Sequence, residues 1–281
     1  MGVRSALIDI ANTEDDALDL IAGALALAAW AEPSLDIAPY ERHVQSLVDD
    51  AVDYLHNDDP SAKLCAESAR QIINRRYGYA GVLTPGDPGE QGDSANLSKV
   101  IDKRRGGAPS LCLLYERVLS RLGVEVEVLD FPARLLIRIE DHSGVRLVLD
   151  PVDGGRTIDA RGLRALYQQH RGGDGSIDPF HLQPMRRRNV LVALQDHIKV
   201  HHLRQAAPEA ALHALQAALL IAPENARLWR EAGLLHARLD HVGDAIMALQ
   251  HFLDLPGDSA HRYTASQLLQ QLQSREDKNP S

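Results

Sequence analysis

The spacing of apolar residues changes twice along this chain of 281 residues, and that change constrains the fold more than any other feature. From Thr13 to about Gly78, apolar residues recur every three to four positions, which predicts amphipathic helices. Between Val124 and Leu149 they alternate in part and are rich in β-branched types, which predicts strands. Helical spacing returns beyond Pro184. The pattern therefore predicts a mostly helical α+β chain with a small antiparallel sheet near its middle.

The C-terminal part of the chain contains an internal repeat with a period of thirty-four residues. The first set of corresponding residues is Ala211, Leu215 and Ala218, and the second is Ala245, Leu249 and Phe252. Thirty-four residues is the period of the tetratricopeptide repeat. Trp229 and Gly233 fall where that repeat has its tryptophan and its small residue, and its tyrosine position holds His236. We expect about two and a half repeats in 184–281, including helices at Val190–Leu203 and Arg262–Leu272.

Such repeats stack into a curved surface with a groove that binds another protein or a peptide. Trp229 and His236 are the candidate contact residues of this groove. The remaining 1–183 would form the other region, helical at first and with a compact core at about 96–183. The polar stretch Thr84–Ser94 predicts a surface loop within 1–183. A second loop, the glycine-rich stretch Arg171–Ser176, marks the boundary with the repeats together with the turn around Pro184.

A helix and a meander are predicted inside that core. The helix runs from Leu111 to Leu122, after Pro109 and before Gly123. The predicted strands are Val124–Phe131, Arg134–Glu140 and Val145–Leu149, with a turn at Asp141–Gly144 between the last two.

Three stretches of this core carry distinctive motifs. The first is Arg104-Arg105-Gly106-Gly107-Ala108-Pro109-Ser110-Leu111, continuing to Arg121-Leu122-Gly123; the others are Phe131–Arg138 and Leu149–Gly155. In this order they resemble the Arg-Arg-Gly-x-Pro-x-Ser-Leu helix, the Pro-Gly-His-Phe-Leu-Val-Arg strand and the Ile-Asp-Pro…Gly-Gly stretch of bacterial transglutaminase-like/tetratricopeptide-repeat proteins of the SirB type. The resemblance implies a transglutaminase-like fold followed by helical repeats, and a cytoplasmic bacterial protein.

The same resemblance locates the positions where transglutaminase chemistry would occur. That chemistry needs a thiol at a helix N-terminus, a histidine base on a neighbouring strand and an Asp or Asn that orients the histidine. The helix start at Ala108–Ser110 has no cysteine, and Cys112 lies further along among leucines. Arg134 occupies the position of the histidine base. Only Asp150 matches the family pattern, at the position of the acid that orients the histidine. We therefore expect a non-catalytic protein, a pseudoenzyme that acts as a scaffold or regulatory adaptor.

The alternative is a cysteine or serine hydrolase or transferase, acting on peptide or amide bonds through a rearranged site. Cys112 or Ser110 would then be the nucleophile, with a histidine supplied from elsewhere. The structural interpretations of the same residues are simpler. Cys112 would be a small buried hydrophobic residue, Ser110 would belong to the first turn of its helix, and Asp150 would pair with Arg134.

Composition narrows the range of partners. A net charge of −9 and only 4% aromatic residues disfavour nucleic acid and anionic membranes as partners. Two cysteines suit a reducing compartment, and no targeting segment is recognisable. His197 and His201 are spaced like zinc ligands, with His202 beside them, but no glutamate lies between them. We expect neither metal nor cofactor, and self-association remains open.

Overall fold

The protein is described by a computed structural model, which covers residues 2–55, 60–82, 93–172, 176–256 and 259–276. The loop predicted at Thr84–Ser94 lies outside these ranges except for its last two residues, and residues 173–175 of the second loop lie outside them as well. No helix within the described ranges is both long and apolar enough to span a bilayer.

The described residues are mostly helical, with two small sheets, so the predicted α+β class is confirmed. The α-helices are α1 (Val3–Asn12), α2 (Leu20–Ala31), α3 (Ala38–Leu55), α4 (Ala62–Ala69), α5 (Leu97–Lys103), α6 (Ala108–Arg121), α7 (Ala160–Arg171), α8 (Arg187–Arg204), α9 (Pro208–Ile221), α10 (Ala226–Arg238), α11 (Val242–Asp254) and α12 (Ser259–Glu276). The strands are β1 (Ala80–Gly81), β2 (Arg105–Gly106), β3 (Glu125–Leu129), β4 (Leu136–Glu140), β5 (Arg146–Asp150) and β6 (Arg156–Thr157). A π-helix over Arg70–Arg76 directly continues α4.

Contacts divide the chain into two compact units, and the division differs from the one drawn on sequence. One unit is Glu14–Leu194, and the other combines Met1–Thr13 with Gln195–Ser281. The sequence pattern divides the chain after position 183, whereas the contacts divide it within α8. The first helix joins the C-terminal unit because α1 packs against α9.

The unit Glu14–Leu194 contains the predicted meander. Strands β3, β4, β5 and β6 follow one another in a four-stranded antiparallel sheet. Val128 lies opposite Ile137, which lies opposite Leu149, so one face of the sheet carries a continuous apolar row. The three predicted strands are confirmed in order, and the two-residue β6 is an addition to them. Strands β1 and β2 form a separate parallel pair.

Helix α6 is the central helix of this unit. It packs against β3 and β4 and also against α2, α3 and α4. Because neighbours surround it, its apolar residues are buried in every direction around its axis. These buried residues are Leu111, Cys112, Leu113, Leu114, Val118 and Leu119. The start of α6 is thereby placed in the interior of the unit.

Side-chain caps fix where the neighbouring helices begin. Asp19 accepts hydrogen bonds from the backbone N–H groups of α2, and Asn96 and Asp159 do the same for α5 and α7. Each cap satisfies donors that the first helical turn leaves unpaired. Asp141, in the predicted turn before β5, accepts from Ala62 N at 2.8 Å and connects the meander to the start of α4.

The second unit contains the helical repeat. Helix α10 packs against α9 and α11, and α11 packs against α12. The apolar residues of the repeat form the interior of this unit. Ala245, Leu249 and Phe252 belong to one apolar cluster there. Helices α8 to α12 form two and a half helix pairs, as the spacing predicts. Gly233 of α10 lies so close to Leu249 that a Cβ there would be 2.6 Å from Leu249 Cγ.

Candidate functional site

The start of α6 carries no thiol. Its first turn contains Pro109, which suits this position because the first turn needs no intrahelical N–H donor. Ser110 is fully buried, and its hydroxyl donates to the backbone carbonyl of Ser94 at 3.1 Å. The hydroxyl is thus used in joining α6 to the segment before α5.

Cys112 lies further into α6 and is completely buried. Burial raises the pKa of its thiol well above the ordinary value, and the nearby Asp150 carboxylate adds to that rise. Both effects disfavour the thiolate, which is the nucleophilic form of cysteine. Burial also raises the pKa of Cys65, to about 11. This environment is opposite to that of an activated cysteine.

Arg134 and Asp150 are brought together as the sequence analysis suggested. The Arg134 Nε and Nη2 atoms donate to Asp150 Oδ2 at 3.0 and 2.7 Å. The other carboxylate oxygen, Oδ1, accepts from the backbone N–H groups of Val152 and Asp153 at 3.0 and 3.3 Å. Since a guanidinium has no acceptor and keeps its proton, Arg134 is unsuited to the role of a general base. The pair links the end of β5 to the segment before β4.

Tyr115, one turn further along α6, is a member of this cluster that the sequence analysis missed. Its hydroxyl is buried and has no hydrogen-bond partner among the described residues. The ring lies against Gly155, where a Cβ would come within 2.4 Å of the hydroxyl oxygen. Burial raises the pKa of Tyr115, Arg70 opposes the rise, and Asp150 and Cys112 add to it. The Gly154-Gly155 pair could be identified in the sequence, but the contact between Gly155 and the Tyr115 ring could not.

The two arginines of the Arg104-Arg105 pair are both half-buried. Arg104 ends α5 in a left-handed conformation, with φ of 56°. Its Nη1 donates to His43 Nε2 at 2.7 Å and to the Tyr79 hydroxyl at 2.6 Å. Burial first, and then the Arg104 charge, lowers the pKa of His43 to about 4. Arg104 of the motif therefore belongs to a half-buried polar cluster with His43 and Tyr79.

The two candidate contact residues of the repeat lie in α10. Trp229 packs against the apolar cluster of α11 and α12, and its indole N–H donates to the Pro223 carbonyl at 2.6 Å. His236 Nδ1 lies 3.4 Å from His241 Nδ1 and 3.8 Å from Asp244 Oδ2. Burial lowers the pKa of His236, Asp244 opposes that change and His241 adds to it. These contacts give Trp229 a packing role within the repeat; its role in partner binding stays a prediction.

Potential metal ligands converge at a different place from the sequence candidates. Among the described residues, a group of three that could hold an ion is His236, His241 and Asp244, at the turn between α10 and α11. His201 and His202 contact each other through their rings, with centroids 5.7 Å apart, and within the described ranges no third potential ligand converges with them.

Exposed apolar residues of the repeat recur with the repeat period. Val200 on α8 and Leu234 on α10 are thirty-four residues apart and are 40% and 48% exposed. Leu203, one turn beyond Val200, is also exposed. Beside them, Lys199 and Arg227 form ion pairs with Asp196 and Glu231 that join α8 to α10. Sequence period alone could have identified Val200 and Leu234 as equivalent positions.

Comparison with known proteins agrees with this architecture. The sequence model of the transglutaminase-like superfamily matches residues 38–196, more than half of the chain. The chain belongs to this superfamily. A tetratricopeptide-repeat model matches residues 198–270, so both halves of the predicted resemblance are confirmed.

Similar proteins come from several bacteria. A UPF0162 protein of Xylella fastidiosa (strain Temecula1) is 28% identical over 255 residues, which cover 88% of this chain and 87% of that protein. Protein SirB1 of Salmonella typhimurium is 26% identical over 188 residues, covering 67% and 70%. A UPF0162 protein of Vibrio cholerae is 24% identical over 267 residues, covering 93% and 96%. No solved structure matches the chain.

Proposed function

We propose that this protein is a non-catalytic adaptor of the transglutaminase-like superfamily, whose helical repeat binds a segment of another protein. The observation that carries the proposal is the pair of exposed residues Val200 on α8 and Leu234 on α10, which occupy the same position in successive repeats. An exposed apolar position that recurs with the repeat, with the exposed Leu203 one turn beyond Val200, supports a binding surface on these helices.

The superfamily's catalytic positions support the non-catalytic part of the proposal. Ser110 and Cys112 are fully buried, so a peptide bond has no access to either side chain in this conformation. A base is needed near the nucleophile, and the matching position carries Arg134, already paired with Asp150. The alternative hydrolase would need an exposed nucleophile and a base in place of Arg134.

The face of α10 indicates the chemistry of the bound segment. Arg230, Leu234 and Arg238 follow one another at intervals of four residues, so they share one side of the helix. The Nε of Arg230 is buried and has no hydrogen-bond partner among the described residues. Nearby, the charges of Asp196, Lys199, Arg227 and Glu231 already compensate one another. The segment that fits is therefore a peptide with apolar side chains flanked by carboxylates.

Site-specific photo-crosslinking in bacterial cells tests the proposal. The full chain would carry a photoreactive amino acid at position 234 or, as a control, at Val145, an exposed apolar residue of the other unit. We expect position 234 to capture a partner that position 145 does not capture. The purified partner should bind the Val200→Asp/Leu234→Asp double variant at least tenfold more weakly than wild type, and the Val52→Asp/Val145→Asp double variant as well as wild type.

Equal weakening by both double variants would overturn the proposal, and so would a partner captured equally at positions 145 and 234. Crosslinks that join only two copies of this chain would replace the adaptor role with self-association through the same surface.

A further inference from the structure

An open cavity of about 360 Å³ lies in the unit Glu14–Leu194, between the π-helix and the segment before β6. The side chains that line it are unusually basic. Arg70, Arg75 and Arg156 contribute three guanidinium groups, and Asp153 contributes one carboxylate. The catalytic positions of the superfamily are not part of this lining.

The π-helix places two of the arginines at the cavity. A π-helix has wider turns than an α-helix, is rarely longer than a single turn, and occurs frequently at functional sites. Here it covers seven residues and contributes Arg70, Asn74 and Arg75 to the lining. Asn74 is held in place because its Nδ2 donates to the Tyr79 carbonyl at 2.8 Å.

A glycine allows the opposite wall to approach the π-helix. Gly154 has a φ of +64°, and a Cβ at this position would come within 3.0 Å of Asn74 Nδ2. A side chain would therefore be strained by the backbone conformation and also crowd the wall. The close approach brings the backbone of residues 153–156 to the arginines of the π-helix.

The positive charge of the cavity is only partly compensated. Arg70 pairs with Glu67 at 2.9 Å, and Arg156 lies 3.7 Å from Asp153 in a pair that is largely exposed. Arg75 is exposed and forms no ion pair with a carboxylate of the described residues. A doubly charged anion would balance such a site better than a single carboxylate does.

Tyr115 lies behind the glycine wall of the cavity and is not part of its lining. Its ring lies against Gly155, the neighbour of the lining residues Gly154 and Arg156. A side chain at position 155 would meet this ring, so Tyr115 helps to fix the shape of the wall.

We propose that this cavity binds the phosphate group of a small phosphorylated molecule. The guanidinium groups of Arg70, Arg75 and Arg156 would donate to the phosphate oxygens. Arginine suits this role because its planar donors match the spacing of phosphate oxygens. The volume leaves room for more than the phosphate itself, so the remainder of the ligand would occupy the open side.

Isothermal titration of the full chain tests the proposal with four probes: inorganic phosphate, pyrophosphate, AMP and ribose 5-phosphate. Citrate at matched ionic strength controls for general attraction of anions. We expect saturable binding at one site for the phosphate compounds and at least tenfold weaker binding of citrate. A preference for AMP would identify a nucleotide as the source of the phosphate, and a preference for ribose 5-phosphate would identify a sugar phosphate.

Single-residue variants decide whether the cavity is the site. Arg75→Gln and Arg156→Gln should each weaken phosphate binding at least tenfold. Arg76→Gln is the matched control, because Arg76 belongs to the same π-helix but pairs with Asp50 and does not line the cavity. Absence of saturable binding for every phosphate probe, or equal weakening by Arg76→Gln and Arg75→Gln, would overturn the proposal.

Discussion

The surroundings of Asp150 and the exposed face of α8 and α10 differ in which groups they bury: polar groups are enclosed at the first, and apolar groups are exposed at the second. Around Asp150 an ion pair and a thiol are enclosed, and both carboxylate oxygens accept hydrogen bonds within the unit. On the repeat, Val200 and Leu234 are left exposed although the helices bury a large apolar interior. The proposed adaptor requires both features: enclosed groups at the catalytic positions of the superfamily and an exposed apolar surface on the repeat.

The largest effect expected from this difference concerns the thiol. In the native protein at neutral pH, iodoacetamide should alkylate Cys112 at least about a thousandfold more slowly than in the urea-unfolded chain, because reaction requires opening of the core. Peptide mass spectrometry distinguishes Cys112 from Cys65. A Ser46→Cys variant, with its new thiol on the exposed side of α3, gives the rate for an accessible cysteine. Alkylation of Cys112 at that rate would restore the cysteine hydrolase as the better explanation.

The next largest effect concerns the ion pair. Arg134→Ala should lower the free energy of unfolding by about 3 kcal/mol, because it leaves the buried Asp150 carboxylate without its counter-charge. Arg146→Ala is the matched control: Arg146 pairs with Glu140 at the surface, and its loss should cost less than about 1 kcal/mol. Urea unfolding measures both. Unchanged stability of Arg134→Ala would show that the pair contributes nothing structural.

The close packing of Gly233 against Leu249 gives a third test, with two glycines whose substitution should change stability in opposite directions. Gly233→Ala should destabilise the protein by about 1–2 kcal/mol, because the new methyl group would meet the Leu249 side chain at 2.6 Å. Gly243→Ala meets nothing closer than 3.8 Å and should stabilise α11 by a few tenths to about 1 kcal/mol. Thermal unfolding of both variants makes the comparison. Two changes of the same sign would show that this contact does not limit the packing of α10 on α11.

The parts of the fold that the sequence predicts are those with a local signal. The helix after Pro109, the three strands of the meander and the thirty-four-residue repeat all follow from the spacing of apolar residues within short windows. The Arg134–Asp150 pair could also be predicted, because the two residues occupy the positions of the family's histidine and its orienting acid, which lie together in one site.

The parts that escaped prediction depend on contacts between distant residues. Nothing in Val3–Asn12 indicates that this helix packs on α9 rather than on the helix that follows it in sequence. The π-helix at Arg70–Arg76 has the same apolar spacing as an α-helix, so periodicity does not distinguish the two. Tyr115 looks like any aromatic residue of a buried helix until Gly155 and Arg70 are found beside it.

The smallest expected effect concerns His43, which lies in the same unit as Asp150 and is only half-buried. Burial first, and then the charge of the nearby Arg104, lowers its pKa to about 4 from 6.5, so the folded protein holds the ring neutral. Between pH 6.5 and pH 4 the unfolded chain therefore takes up a proton that the folded chain does not, and stability should fall as the pH falls.

Because the ring is partly exposed, we expect this contribution to be on the order of 1 kcal/mol. The measurement is the difference between wild type and His43→Gln in urea unfolding at pH 7 and at pH 4.5, which cancels the carboxylates that titrate in the same range. Glutamine keeps an acceptor for Arg104 but does not titrate, so the variant should lose less stability than wild type on acidification. Equal losses would mean that His43 takes up its proton without disturbing Arg104, and that the polar cluster of this unit is as open to solvent as the face of the repeat.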